Sequence, residues 1–577
     1  MAGLQNDAYS PSAPVQTESG LVSGRVLTNK TRAFLGVPYA APPTGSLRWR
    51  PPQPPIPWFG VRSATSFGPS AFQFPPPANS IYYGGETSFS EDCLYLNIYT
   101  GPEHEPTTTT TTTPRPVLVW FHFGAFQFGS ASNPIYSGAH LAAAGGLTVV
   151  TVNYRLGRLG FLAHPALTAE AESLKLSSSP GNNDHGGTGG TGGTSGNYGI
   201  LDQIAALQWV RRNIRAFGGD PAADAITIGG GSAGGASVHI LRASPLARGL
   251  FGKAVVESGP GVAPVVAGGG GDDARGHVAA YTSLAAAETA GVELAAGLGA
   301  SSVEELRALP AAAIAGVHLE RASGRWRADL WPAARTSLSI FDTACPVVDG
   351  YVLPESPLTA LLEGRAADVP LLAGNVGDEG SGMPFLGSVA EYEEYVRKTF
   401  GELAAEALQL YPAGNEEEVR QATSQLLADQ VFVWSTWSSA RLQAKTLKSS
   451  VWYFKFERAP PIPKNADLVE KTRAGAFHCA VVPYAFGNLD AWEWDWTDAD
   501  KELSKSVSDA LVRFVKTGRP GGDQEDDDTF WPALGSGASL VKIWDAESSR
   551  LEAPGPRLTS VTAFWDKYYG IEGQVAV

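Results

Sequence analysis

Cysteine is scarce in this sequence. Three are present among 577 residues, Cys93, Cys345 and Cys479. An odd count that low excludes a disulfide-dense scaffold and allows one bridge at most. It leans toward a reducing compartment, although a large secreted enzyme needs few bridges. Positive charge is also in deficit. Lys and Arg total 43 against 58 Asp and Glu, for a net charge of −15. Nucleic-acid phosphates select a basic face, so no nucleic-acid partner is expected. Charged residues of both signs make up only 18% of the chain, while 43% are hydrophobic. That balance excludes wholesale disorder and supplies a large core. No apolar run reaches the roughly 18 residues that mark a membrane span. Met1 to Pro14 is polar and has no apolar stretch of the signal-peptide kind. The expectation is a soluble chain, cytoplasmic as it stands, or secreted if a leader has been removed.

Glycine and proline are plentiful, at 66 and 41, and unevenly spread. Thr107 to Thr113 is pure threonine, and Ser177 to Ser195 is a Ser/Gly/Thr/Asn stretch. With Gly268 to Asp273 they read as solvated loops that bury no core face, residues 103–115 and 177–195 being low-complexity surface loops. Between them the pattern is α/β. Val117 to Phe121 and Leu147 to Tyr154 are apolar strands, and Ile200 to Phe217 has helical spacing. Ala225 to Ile228, Ala254 to Val256, Val369 to Ala373 and Val451 to Phe456 are further strands. Strands apolar throughout predict a largely parallel twisted sheet with helices on both faces. Tyr281 to Ala334 and Val389 to Lys448 break the alternation and read as helical elaborations over that sheet.

Gly230-Gly231-Ser232-Ala233-Gly234 follows a strand and precedes the apolar helical stretch Ala236 to Leu241. This is G-x-S-x-G in the strand–turn–helix context that projects a serine hydroxyl at the carboxyl edge of a sheet. His122-Phe123-Gly124-Ala125-Phe126 directly follows the Val117 to Phe121 strand. Small residues there let backbone N–H groups face a substrate oxygen, with the N–H of Ala233 as a further donor. The first motif alone is also explained by a glycine-rich turn, and the second by Gly124-Ala125 merely ending a strand.

A serine nucleophile needs a base, and the base needs an orienting acid. Of nine histidines, His478 lies in a loop after the Val451 to Phe456 strand. His122 is the rival, but its neighbours suit an oxyanion loop better. His104, His164 and His185 fall in loop sequence, and His239 is helical and too near Ser232 to turn back on it. Asp378-Glu379 follows the Val369 to Ala373 strand. The order Ser232, acid, His478 is that of α/β-hydrolases, but these residues alone leave Asp378 and Glu379 equivalent.

The chain resembles the type-B carboxylesterase family, the cholinesterase-like esterases and lipases. The likeness is carried by Phe34 to Ala40 with Leu47-Arg48-Trp49, by Ser90 to Ile98, by Asn153 to Gly157, and by Gly196 to Gly199 with Leu201-Asp202-Gln203. Phe217 to Pro221 before the elbow and Gly475 to His478 with Pro483-Tyr484 extend it. The resemblance implies an α/β-hydrolase fold and a serine carboxylesterase. It assigns Ser232 as nucleophile, Glu379 as orienting acid and His478 as base, with oxyanion donors at Gly124, Ala125 and Ala233. It implies buried ion pairs Arg48–Glu91 and Arg155–Asp202, a small-molecule ester substrate, and no metal or cofactor.

There are departures. Gly231 stands where the family usually has glutamate, Phe123-Gly124-Ala125 replaces three glycines, and Ala71 replaces the usual partner of Cys93. Arg158 stands where relatives often have a small residue or proline. With Phe123, Phe126 and Gly231 it is expected near the substrate. It raises polycarboxylate esters, of the kind in fumonisin-type toxins, as an option. Phe128, Met383, Phe385, Trp434 and Trp437 suit either a pocket or the core. Trp492, Trp494 and Trp496 read as strand alternation. An acyltransferase, amidase or thioesterase on the same residues stays open, as does a non-catalytic adhesion or scaffold role. Length alone suggests about four domains. The spread of motifs instead predicts one enlarged hydrolase domain over residues 15–570, preceded by a tail, residues 1–14.

Overall fold

The computed structural model describes residues 9–102, 113–177, 194–264, 281–320, 325–328, 344–381, 385–463, 475–522, 530–535, 539–547 and 549–573. Most of the low-complexity loops, Gly268 to Asp273, Met383 and the acidic run Glu525 to Asp528 lie outside the described residues.

Twelve strands form one sheet. They are β1 (Ser10–Pro11), β2 (Arg25–Val26), β3 (Arg32–Pro38), β4 (Tyr95–Thr100), β5 (Val117–Phe121), β6 (Thr148–Val152), β7 (Ile226–Gly231), β8 (Lys253–Glu257), β9 (Leu371–Val376), β10 (Val451–Phe456), β11 (Val541–Trp544) and β12 (Arg550–Glu552). Their spatial order is β1-β2-β3-β4-β6-β5-β7-β8-β9-β10-β11-β12. Pairing is parallel from β6 through β11 and antiparallel toward both edges. The parallel strands explain their own composition. Every residue of β5, β6, β7, β8 and β9 is buried, because helices cover both faces and no position can face water. Residues 10–11, assigned by sequence to a tail, are instead an edge strand, with Ser10 opposite Val26 and Pro11 opposite Arg25.

Seven helices shape the site and its supports: α1 (Tyr198–Asn213), α2 (Ala233–Ala243), α3 (Glu416–Ala428), α4 (Trp434–Thr446), α5 (Val481–Phe486), α6 (Asp498–Thr517) and α7 (Pro556–Tyr568). The expected helix from Ile200 begins slightly earlier and tightens into a 3₁₀ turn at Ile214–Phe217, closed by Gly218 at φ 86°. The run Glu416 to Glu418 is exposed and occupies the first turn of α3. There, negative charge complements the helix dipole.

Two expectations are corrected. Among the described residues, helices in the Tyr281 to Ala334 block stop at Ile314, and Val317–Glu320 then pairs antiparallel with Arg325–Ala328. The alternation Val317-His318-Leu319-Glu320 after Gly316 carries that hairpin signal. Trp492, Trp494 and Trp496 belong to no strand. The N–H of Trp494 donates to Trp492 O and that of Trp496 to Trp494 O, both at 2.8 Å. This tight local winding puts alternate rings in a stack, at centroid spacings of 4.4 and 5.4 Å.

The two ion pairs are present. Arg155 holds Asp202 through two bonds of 2.7 Å, with side chains 3% and 0% exposed. Arg48 holds Glu91 through two bonds of 2.6 Å and also donates to the Leu309 carbonyl at 2.7 Å. Cys93 is buried, and it lines a small cavity together with Ala71. Burial pushes its thiol far above the ordinary range. No helix among the described residues is long and apolar enough to cross a membrane.

Candidate active site

Strands β7 to β10 are neighbours and parallel, so their carboxyl ends open on one edge of the sheet. In open α/β sheets that edge is where ligands bind. Ser232 immediately follows β7, Glu379 lies three residues past β9, and His478 lies in the loop after β10.

Ser232 sits at φ 53°, ψ −120° between β7 and α2. A non-glycine residue there is strained. Two contacts hold it. Its N–H donates to Glu257 O at 2.9 Å, and its carbonyl accepts from Ala236 N at 2.8 Å. The glycines around it allow close backbone approach. A Cβ on Gly230 would stand 2.4 Å from Gly234 C, and one on Gly234 only 2.0 Å from Phe121 O.

His478 Nδ1 lies 2.6 Å from Glu379 Oε2. Glu379 Oε1 accepts from Asn375 Nδ2 at 2.9 Å and from Val376 N–H at 3.0 Å. The Tyr453 hydroxyl donates to Asn375 Oδ1. A carboxylate accepts hydrogen bonds, so this contact selects the imidazole tautomer with its proton on Nδ1, the one in which Nε2 can act as an acceptor. Nε2 is buried and has no hydrogen-bond partner among the described residues. The sequence left Asp378 and Glu379 equivalent, and the geometry separates them. Asp378 accepts from Gly475 N–H at 3.0 Å and from the Ser381 hydroxyl, while its own N–H donates to Ala476 O at 2.9 Å. It stitches the acid loop to the histidine loop.

The nucleophile loop meets the histidine loop beside these groups. A Cβ on Gly231 would lie 3.4 Å from Cys479 Sγ and 3.5 Å from Val482 Cγ2. Gly231 is the strand partner of Glu257. Burial pushes the Glu257 carboxyl up to about 8, and its Oε2 has no hydrogen-bond partner among the described residues. The Cys479 thiol is raised by burial, then by Glu379 and Glu257.

Gly124, Ala125 and Phe126 all have positive φ, at 125°, 51° and 60°. The turn closes through Gln127 N–H and Phe128 N–H, which both donate to Gly124 O. Ala233 is the first residue of α2, ahead of the first bond of the helix. His122, the rival histidine, is engaged in other contacts. It is buried and stacked on Tyr154 at 4.5 Å, its Nδ1 lies 2.8 Å from Phe123 O, and burial holds it down at about 4. His239 lies inside α2, held low at about 3 by burial and then by Arg242.

The predicted pocket residues divide. Phe123 packs edge-on against Tyr82 at 5.7 Å, and the Tyr82 hydroxyl donates to His478 O at 3.3 Å. Phe126 has no exposed surface and packs on Phe161 at 5.2 Å, so it is core. Arg158 donates to Ile314 O at 3.3 Å. Trp434 and Trp437 are buried, whereas Phe385 is exposed beneath the Arg420 guanidinium. Several contacts had no sequence signal, among them Asn375 and Tyr453 behind Glu379. Another is Phe432, whose ring lies 4.1 Å from the His478 ring, centroid to centroid, at 32°.

The model of the carboxylesterase family matches residues 11–171 and 187–546. The chain belongs to the carboxylesterase family. Its fold is the α/β-hydrolase fold, and it is a carboxylic ester hydrolase. Among its relatives, the para-nitrobenzyl esterase of Bacillus subtilis (strain 168) is 33% identical over 547 residues, which cover 92% of this chain and 95% of that one. The fumonisin B1 esterase of Sphingopyxis macrogoltabida is 32% identical, over 90% of this chain and 84% of that one. A solved PNB esterase structure superposes with a TM-score of 0.72 at 30% identity, covering 95% of this chain and 99% of that one.

Proposed function

We propose that the protein is a serine carboxylesterase working through an acyl-enzyme, with Ser232 as nucleophile, His478 as base and Glu379 as orienting acid. The observation that carries the reading is the 2.6 Å Nδ1–carboxylate contact with Nε2 left open, beside a serine in a strained strand–helix elbow. No bond joins Nε2 to another described group in this structure. Catalytic hydrogen bonds of this kind often tighten only when substrate is bound.

His478 Nε2 takes the Ser232 proton as Oγ attacks the ester carbonyl. Glu379 holds the imidazole tautomer and stabilises the imidazolium. The N–H groups of Gly124, Ala125 and Ala233 receive the oxyanion. The alcohol leaves with the proton from His478, and water hydrolyses the acyl-enzyme in the reverse roles. The substrates are esters of small organic molecules, in line with the relatives' names. Residues 15–570 act as one enlarged hydrolase domain in this reading. Intact site groups argue against a purely adhesive role.

The test is turnover of p-nitrophenyl butyrate. Ser232→Ala is expected to lose on the order of 10⁶ in kcat. Disabling one oxyanion donor is expected to cost about 10²–10³. Wild-type turnover by Ser232→Ala would remove the assignment.

A further inference from the structure

Between α3 and α4 the helix continues, but not as an α-helix. Residues Asp429–Val433 form a π-turn, one residue wider than an α-turn. Such an insertion rotates everything beyond it by about 100° relative to a continuous α-helix. Single π-turns inside helices recur at functional sites.

This one is clamped at both ends. At its start, Arg557 of α7 donates to Asp429 Oδ2 at 2.7 Å. Just past its end, Trp434 Nε1 donates to Asp566 Oδ1 of α7 at 2.8 Å. The Ser435 hydroxyl accepts from Val262 N–H at 2.9 Å, and the Thr436 hydroxyl donates to Gly259 O at 3.1 Å. Gly259 in turn lies against α2, since a Cβ on Gly235 would stand 2.7 Å from Gly259 Cα. The turn is therefore fixed both to α7 and to the helix that follows Ser232. The residue it presents to the site is Phe432, 2% exposed, whose ring covers one face of His478.

We propose that Phe432 is a positioning residue for His478, aimed by the π-turn, and that its ring stabilises the imidazolium formed during the reaction. This rests on His478 being the base. The argument is geometric and electrostatic. Glu379 fixes the imidazole along one edge, but a single hydrogen bond holds the tilt of the ring about the Nδ1–carboxylate axis only loosely. A ring 4.1 Å away removes that freedom. An aromatic face carries negative charge density, and a desolvated cation over it is favoured. Neutral imidazole gains less, so the stabilisation is greatest in the charged state and acts on kcat.

Phe432→Leu and Phe432→Met remove the ring while filling most of its volume, and Phe432→Tyr keeps it. On p-nitrophenyl acetate both ringless variants are expected to lose about 2–5-fold in kcat with KM unchanged. Inactivation by a small fluorophosphonate should slow by the same factor, and Phe432→Tyr should restore both. Wild-type kcat in the ringless variants, or a change confined to KM, would reduce Phe432 to a wall of the pocket and overturn the proposal. Should neither ringless variant fold, histidine selectively ¹³C-labelled in the unsubstituted protein still decides. The His478 Hε1 signal, identified by its loss in His478→Gln, is expected upfield of the position of a solvent-exposed histidine, as is that of His122 stacked on Tyr154, and an undisplaced His478 signal overturns the stacking. Ser232→Ala run alongside separates the two readings. If it keeps turnover, the triad fails. If it is inactive while the ringless variants behave as wild type, only the role of Phe432 fails.

Discussion

Gly231 and Cys479 face each other across the junction of the nucleophile and histidine loops, with 3.4 Å between a Cβ built on the glycine and the sulfur. The glycine is not demanded by its own geometry. Its φ is not positive, and the three atoms nearest that Cβ stand at 3.4 to 3.8 Å, ordinary contact distances. Gly231→Ala is therefore expected to fold, and to gain about 0.4–1 kcal/mol by restricting the unfolded chain. Gly230→Ala and Gly234→Ala should fail to give folded protein, because their Cβ atoms would strike backbone at 2.4 and 2.0 Å. The urea midpoint of Gly231→Ala against the wild type, and the yield of folded soluble protein for the other two, make the comparison.

The Arg155–Asp202 pair links the segment after β6 to α1 with almost no solvent contact. Removing either partner strands a charge that water cannot reach. Asp202→Ala is expected to cost about 3–5 kcal/mol. Glu91→Ala should cost less, since its carboxylate is 14% exposed and water can reach the guanidinium left behind. Denaturant titrations of the two variants give the order.

The strands and the elbow were legible because their constraints are local. Val117 to Phe121 has one composition because both its faces are buried, and Gly230 and Gly234 are glycine because backbone passes within contact of each. The choice between Asp378 and Glu379 was not local. It depends on a loop about a hundred residues later, and the residues alone could not rank them; only the family likeness did. Phe432 was invisible because a π-turn leaves no periodic trace, its extra residue being absorbed inside an otherwise helical pattern. The three tryptophans at 492, 494 and 496 show the converse. A period of two is common to strands and to this tight winding, and the hydrogen bonds alone tell them apart.

Asp378 makes a distinct prediction. Its carboxylate receives the Gly475 N–H and the Ser381 hydroxyl, and its N–H reaches Ala476 O. These bonds tie down the loop two and three residues before His478. Asp378→Ala should lower kcat on p-nitrophenyl butyrate by on the order of tenfold, since small displacements of a positioned base are costly. Asp378→Asn keeps a side-chain oxygen as acceptor and should retain most of the activity. Equal losses in both would mean that the negative charge, not the hydrogen bonding, is what matters there.

Glu257 ties the pH dependence of stability to the floor of the site. Burial alone raises its carboxyl to about 8 from an ordinary value of 4.5, so the folded protein holds a proton that the unfolded chain gives up. Between those two values the native state binds more protons than the unfolded state, and stability must fall as pH rises. The contribution is fully present below about pH 4.5 and lost as pH climbs through about 8. Glu257→Gln carries the shape of the neutral acid and cannot ionise. It is expected to match the wild type near pH 5 and to be the more stable protein at pH 8, by an amount that grows steadily across the interval. Urea unfolding of both proteins at several pH values checks this. A difference that stays constant with pH would mean that Glu257 is already ionised in the fold, and that some cation or ordered water meets its Oε2 there.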